Sequence, residues 1–213
     1  MTADKRTRQP RHLTARGAAT RTRIAEAAAN LMYHRGVGGT SLDDVMEASA
    51  TSKSQLYHYF ADKDALVREV ITLQTGRVLA AQSPDLEQLD SLAGLRRWRD
   101  AVVGIVGANS GAGGCPIGSL ASELADQSDR ARKHLVRSFQ TWESYIVKGL
   151  QAMRDRGELA PKSDPRDLAT AVMSAIQGGI LLAQTTRTTR PLELALDMAL
   201  EHIAHHLRGK APP

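Results

Sequence analysis

Between Thr40 and Asp62 this chain signals three helix starts in quick succession. Thr40-Ser-Leu-Asp43 has the form of a capping box, ahead of Leu42, Val45 and Met46. Ser52-Lys-Ser-Gln55 repeats the form ahead of Leu56, and Asp62 caps a longer run carrying Ala65, Leu66, Val70 and Leu73. Helices this short do not hold in water alone, so they must be supported by one another and by a longer neighbour. The preceding segment supplies it: Ile24, Ala28, Leu31 and Met32 follow helical spacing, and Gly36 stands where a C-cap glycine belongs. The two short helices, 41–48 and 52–59, are parted only by Ser49-Ala50-Thr51, which is helix-turn-helix spacing.

The remainder also reads as helix, and strand alternation is nearly absent. Helical stretches are expected over 89–108, from Pro116, over 128–156, from Asp164-Pro165 through Ile180, and from Pro191 through Leu207. The expected fold is all-α, with about nine helices. A basic arm (1–17) precedes a helix-turn-helix unit (18–65) and a larger helical bundle (66–209). A chain of 213 residues is long enough for a real core. Its single cysteine, Cys115, excludes an internal disulfide framework and any multi-cysteine zinc module. No run approaches eighteen apolar residues, and the N-terminus lacks an apolar signal region, so the expectation is a soluble cytoplasmic protein with no membrane span.

Catalysis is not expected: no phosphate-cradling glycine loop, Ser/His/Asp constellation or nucleophile motif is visible, and no cofactor or metal is implied. Cys115 has no Lys or Arg within ten residues to lower its pKa, which favours packing over redox sensing. His202, His205 and His206 approach metal-ligand spacing, but Glu201 is their sole acidic neighbour; a solvated or interface face is expected.

The formal net charge is +5, and its location matters more than its size. Residues 1–23 carry seven basic residues against Asp4 alone, a local +6, which leaves −1 for the other 190. Residues 24–70 hold Arg35, Lys53, Lys63 and Arg68 against seven acids, or −3. Attraction to nucleic acid must therefore come from the arm, from placed cations and from helix N-termini. Ser52, Lys53, Ser54 and Gln55 open the second short helix, and Gln55 is of the type that bonds an adenine edge. Tyr57 and His58 follow one turn later, while Thr40, Ser41, Lys63, Arg21 and Arg23 complete the candidate DNA-contacting set. The alternative is ordinary: helix pairs occur in any helical domain, and Tyr57, Tyr59 and Phe60 can serve as core aromatics.

The run Val45-Met-Glu-Ala-Ser-Ala-Thr-Ser-Lys-Ser-Gln-Leu-Tyr-His-Tyr-Phe60 with Asp62-Lys63-Asp-Ala-Leu66 resembles the DNA-binding signature of the TetR/AcrR family of transcriptional regulators. Thr22-Arg-Ile-Ala-Glu-Ala-Ala, Arg35-Gly36 and Thr40-Ser-Leu-Asp-Asp-Val45 extend the likeness over about residues 18–70. It departs at Ala50-Thr51, where the family usually has Gly-Val, and at Gln55, which follows Ser54 where Gly-Thr is common. An alanine at a turn asking for positive φ costs about 1 kcal/mol. The resemblance implies a homodimer that reads a palindromic double-stranded DNA operator, most simply as a repressor released by a small apolar or drug-like effector. The competing reading is a ligand-binding or enzymatic helical bundle with a vestigial DNA domain. A third, a membrane-surface protein held by its arm, needs an apolar face that residues 1–23 lack.

A second stretch, Gly113-Gly-Cys-Pro-Ile-Gly-Ser-Leu-Ala-Ser-Glu-Leu124, looks like the LmrA/YxaF-like branch, whose members respond to drug-like or plant-derived molecules. The resemblance implies a pocket in the C-terminal body. Candidates to line it are Trp98, Val102, Ile117, Leu120, Phe139, Trp142, Ile146, Met173 and Gln177, although such stripes are also what plain core looks like. For dimerisation the last two helices offer Ala175, Gly178, Gly179, Leu182, Ala183, Leu196, Ala199 and Ile203.

Overall fold

The structure, a computed structural model, describes residues 14–208. Of the basic arm expected over 1–17, residues 1–13 lie outside the described residues, while Ala15 to Gly17 already belong to the first helix. Thr14 caps α1 (Ala15–Arg35) through its hydroxyl, which accepts the Gly17 N–H, and Gly36 at φ 73° turns the chain out of the helix. Then come α2 (Leu42–Ala48), α3 (Lys53–Tyr59) and α4 (Lys63–Ala81). After one 3₁₀ turn at Asp85–Glu87 the body follows: α5 (Leu92–Gly107), α6 (Pro116–Leu124), α7 (Asp129–Asp155), α8 (Pro165–Thr186) and α9 (Arg190–His205). Among the described residues these nine helices are the α-helical content, and extended pairing is limited to an isolated bridge between Leu159 and Leu207.

The caps explain the boundaries and correct one register. The first capping box is Ser41 with Asp44, one residue later than Thr40-Ser-Leu-Asp43 suggests. Ser41 Oγ accepts the Asp44 N–H at 3.1 Å, and the Asp44 carboxylate accepts both the N–H and the hydroxyl of Ser41. These bonds hold the Asp44 carboxyl below the usual carboxylate range. The second box, Ser52 with Gln55, stands where the sequence puts it. Ala50, in the turn between them, adopts φ 49°, the left-handed region that alanine resists. Cys115 caps α6 with its sulfur, which accepts the Gly118 N–H at 3.4 Å just before Pro116 at the first helical position.

No linker separates the two units: α4 runs unbroken across the expected 65/66 boundary. Its N-terminal half buries Leu66, Val67, Val70 and Ile71, and a single apolar core joins these to Trp98, Trp142, Ile146 and Leu150 in the body. Helices α8 and α9 approach closely at Gly179, where a Cβ would sit 2.8 Å from the Leu192 Cα. Despite the absence of a long apolar run, α8 is long and apolar enough by composition to cross a bilayer, with mean hydropathy 1.3 over its most apolar stretch. It lies against α7 and α9, yet fewer than half of that stretch's residues are buried.

Candidate functional site

The second helix of the helix-turn-helix shows two faces. Leu56 and Phe60 are buried against the core, fixing α3, while Ser52, Lys53, Ser54, Gln55, Tyr57 and His58 are exposed. Two exposed turns thus carry a cation, two hydroxyls, an amide, a phenol and an imidazole in one row, the mixture that contacts phosphates and base edges. Gln55 is partly engaged: its Oε1 accepts the Ser52 N–H at 2.9 Å, which leaves its amide N–H groups outward. Ser49 Oγ and Thr51 Oγ1, both buried, bond each other at 2.7 Å and brace the turn below that row.

Four of the candidate contacts already have partners within the chain. Thr40 is buried, and its hydroxyl donates to the Gly36 carbonyl at 2.8 Å rather than facing a phosphate. Lys63 Nζ donates to the Val37 carbonyl at 2.6 Å, stitching the start of α4 to the α1–α2 turn. Arg21 pairs with Glu69 at 2.5 Å and lies over the Phe60 ring, 5.6 Å from its centroid. Arg23 Nε donates to the Ser49 carbonyl at 2.9 Å, closing the C-terminus of α2. Ser41 is exposed but occupied in its capping box. Each of the three cations is spent on a partner distant in sequence, which composition does not reveal.

A residue missed in the sequence holds the reading unit to the body. Glu123, near the end of α6, accepts the Val37 N–H at 2.8 Å and the Gly38 N–H at 2.6 Å. The α1–α2 turn is therefore clamped from two sides, by Glu123 and by Lys63.

In the body, a cavity of about 250 Å³ is bordered by α1, α4, α5, α7 and α8 and by the approach to α6. Val78, Val102, Ile105, Val106, Trp142 and Ile180 give it an apolar wall, and Tyr33, Gln74, Gln82 and Asn109 contribute polar groups. Burial pushes the Cys115 thiol and the Tyr33 phenol above their usual pKa values, so both stay neutral. Tyr33, Gln74 and Pro116 also border a second cavity of about 220 Å³ beneath α6, whose far wall includes Leu120 and Glu123. Of the expected lining residues, Val102 and Trp142 line the first cavity and Leu120 the second. Phe139, Met173 and Gln177 line two further hollows along α7 and α8, of about 340 and 330 Å³. Trp98, Ile117 and Ile146 are corrected to core: all three are fully buried, and the Trp98 indole N–H donates to Gln82 Oε1 at 2.9 Å.

The expected dimer set divides in the same way. Gly179, Ala183, Leu196, Ala199 and Ile203 are buried inside the chain, where they close the α8–α9 contact, and so are not available to a partner. Ala175 is half-buried, and Gly178 and Leu182 are exposed. The outer face is instead marked by Leu181, Leu182, Leu194 and Met198, exposed by 62%, 54%, 51% and 66%. Along α8 the outward side is polar at Asp167, Thr170 and Ser174 and carries large apolar side chains only at Leu181 and Leu182, so polarity alone does not mark it over its whole length. Two histidines near the C-terminus have partners within the chain: His206 Nδ1 lies 2.7 Å from Ser163 Oγ, 43 residues away, and His205 Nδ1 lies 2.7 Å from the Glu201 carbonyl one turn back.

Comparison with known proteins accounts for both halves of this architecture. Residues 24–70 match the family described as bacterial regulatory proteins, tetR family. Residues 91–199 match the tetracyclin repressor-like C-terminal domain. The chain is 30% identical over 186 residues to the uncharacterized HTH-type transcriptional regulator YxaF of Bacillus subtilis, covering 85% of this chain and 93% of that protein. It is 28% identical over 185 residues to the HTH-type transcriptional repressor DhaR of Mycobacterium sp., covering 85% and 90%. Among solved structures, a TetR transcriptional regulator from Chloroflexus aurantiacus superposes with TM-score 0.76 at 24% identity, over 92% of this chain and 99% of that one. The exposed reading helix, its braced scaffold and the helical body with its cavity are thus those of the TetR family of HTH-type transcriptional regulators, to which this chain belongs and whose members are not enzymes.

Proposed function

We propose that the protein is a cytoplasmic repressor that binds a palindromic operator as a homodimer and lets go when a small, largely apolar molecule fills the body. The exposed row Lys53, Ser54, Gln55, Tyr57 and His58, held rigid by buried Leu56 and Phe60, carries this reading. A two-fold dimer presents two such rows to successive major grooves, about 34–36 Å apart. The apolar outer face of α8 and α9 supports the dimer: Leu181, Leu182, Leu194 and Met198 are too many large side chains to leave wet on a soluble monomer. The repressor sense draws on the likeness to DhaR. Release draws on the cavity and on α6, which borders it at Pro116 and holds the α1–α2 turn through Glu123. An effector that favours another setting of α6 shifts the dimer away from the spacing that fits DNA.

The test is a gel-shift titration against DNA fragments selected by the protein itself. Saturable, sequence-selective binding that Gln55→Ala and Tyr57→Ala both weaken is expected. Equal affinity for random DNA would discard the operator-specific reading.

A further inference from the structure

Seven polar side chains are buried in the described part of the molecule, and six of them are satisfied within it. Thr40, Ser49, Thr51, Gln82, Ser138 and Ser163 each have a hydrogen-bond partner. Gln74, 7% exposed, makes no side-chain hydrogen bond among the described residues, and its amide atoms are not fully enclosed. It sits on α4 in the wall common to the two cavities, so its amide is reached from both. Trp142 also lines the larger cavity, but its indole nitrogen is fully enclosed by packed atoms and does not face the open space. A nine-tenths-buried amide with no partner in the chain is rare because its desolvation is not recovered, and at a cavity wall it marks where something else bonds.

The chemistry of the missing partner follows from what is on offer. Gln74 presents one carbonyl acceptor and two N–H donors. A matching group brings a strong acceptor together with a donor. Around the amide the surfaces are apolar: Val78, Val106 and Ile180 on the larger side, Met32, Val70 and Leu120 on the smaller. The cation bordering the larger cavity, Arg77, is exposed and paired with Glu26 at 3.2 Å, so no buried positive charge awaits an anion there. On the reading of this cavity as the effector site, we propose that the effector is an uncharged molecule with an amide or lactam between two apolar portions, and that Gln74 is the residue that selects it.

The test uses a pair of probes nearly identical in shape, benzanilide and trans-stilbene, of which only the first carries an amide. Equilibrium dialysis gives the dissociation constant of each for the full-length protein and for Gln74→Met, which keeps the side chain's length without its polar atoms. Gln74→Leu serves as a second apolar variant should the first misfold. Because stilbene is the more hydrophobic probe, the informative quantity is the ratio of its constant to that of benzanilide. The ratio is expected to be at least about fivefold larger in the wild type than in either variant, as one or two net hydrogen bonds require. A change below about fivefold, or no binding of benzanilide, overturns the assignment. A parallel gel shift with selected operator DNA separates the role of Gln74 from the role of the cavity. Operator binding with an unchanged ratio removes the role of Gln74 and leaves the regulator intact. A Gln74-dependent ratio with no effect of benzanilide on DNA binding removes the effector reading that the assignment presupposes.

Discussion

Replacing Glu123 by alanine cuts the clamp between the body and the reading unit. The carboxylate holds two backbone N–H groups, Val37 at 2.8 Å and Gly38 at 2.6 Å. Hydrogen bonds to a charged group contribute about 1.5–3 kcal/mol each when water cannot replace them. Gly38 is exposed and regains a water partner at once, whereas Val37 is buried and its N–H is left poorly paired. The net loss is therefore close to one such bond, about 2 kcal/mol. For a chain of this size that corresponds to a fall of roughly 4–8 °C in Tm. Urea denaturation at fixed protein concentration measures the loss, since the stability of any oligomer depends on concentration. Amide hydrogen exchange locates it: the Val37 amide should lose protection in Glu123→Ala while the α8 amides keep theirs. Because Pro116, on the same helix, borders the cavity, the variant should also respond less to any effector that releases DNA. Unchanged stability within about 0.5 kcal/mol, with unchanged Val37 protection, would refute the clamp.

Other perturbations probe separate parts of the molecule. Ala50→Gly relieves a φ of 49° and should stabilise the protein by about 1 kcal/mol in the same urea assay; no gain would mean that the turn is not strained. Lys53→Ala should weaken operator binding and lower the slope of log affinity against log salt by about one, the mark of a lost phosphate contact; an unchanged slope would place Lys53 off the DNA. Leu181→Glu with Met198→Glu should convert a dimer to a monomer in analytical ultracentrifugation, whereas a dimer that persists would move the interface elsewhere. Cys115 should react with iodoacetamide far more slowly in the native protein than in urea at about pH 8, near the ordinary thiol pKa. Its pKa is raised by burial, so the folded state keeps a proton that the unfolded chain gives up, and this contribution to stability is lost as pH rises past the ordinary thiol value of 9.0.

What the sequence made legible was local. The Ser52–Gln55 box, the Asp62 cap, Pro116 and Pro165 in first turns, and the left-handed Ala50 depend on neighbours within a single helical turn, and all appear as expected. Thr40 against Ser41 shows the limit: two adjacent hydroxyls fit the same pattern, and burial of Thr40 under the Gly36 carbonyl decides between them. Long-range pairings were not readable. Arg21 finds Glu69 48 residues away, and Glu123 reaches back 86 residues to Val37. Both depend on how α4 and α6 cross α1, and composition is silent on that. Exposure along α3 was accordingly legible, because it follows helical period, and burial in the body was not. There Trp98, Ile117 and Ile146 share the spacing of a cavity lining, and only packing separates core from cavity.

The central claim, that α3 reads a specific operator as half of a symmetric pair, is tested most directly by selecting bound fragments from random DNA and titrating the protein onto the winner. The predicted result is an inverted repeat with half-sites one helical turn or a whole multiple apart, two chains bound per site, and affinity at least about a thousandfold above scrambled DNA at physiological salt. Selected fragments without a shared inverted repeat, bound no more tightly than scrambled DNA, would contradict it.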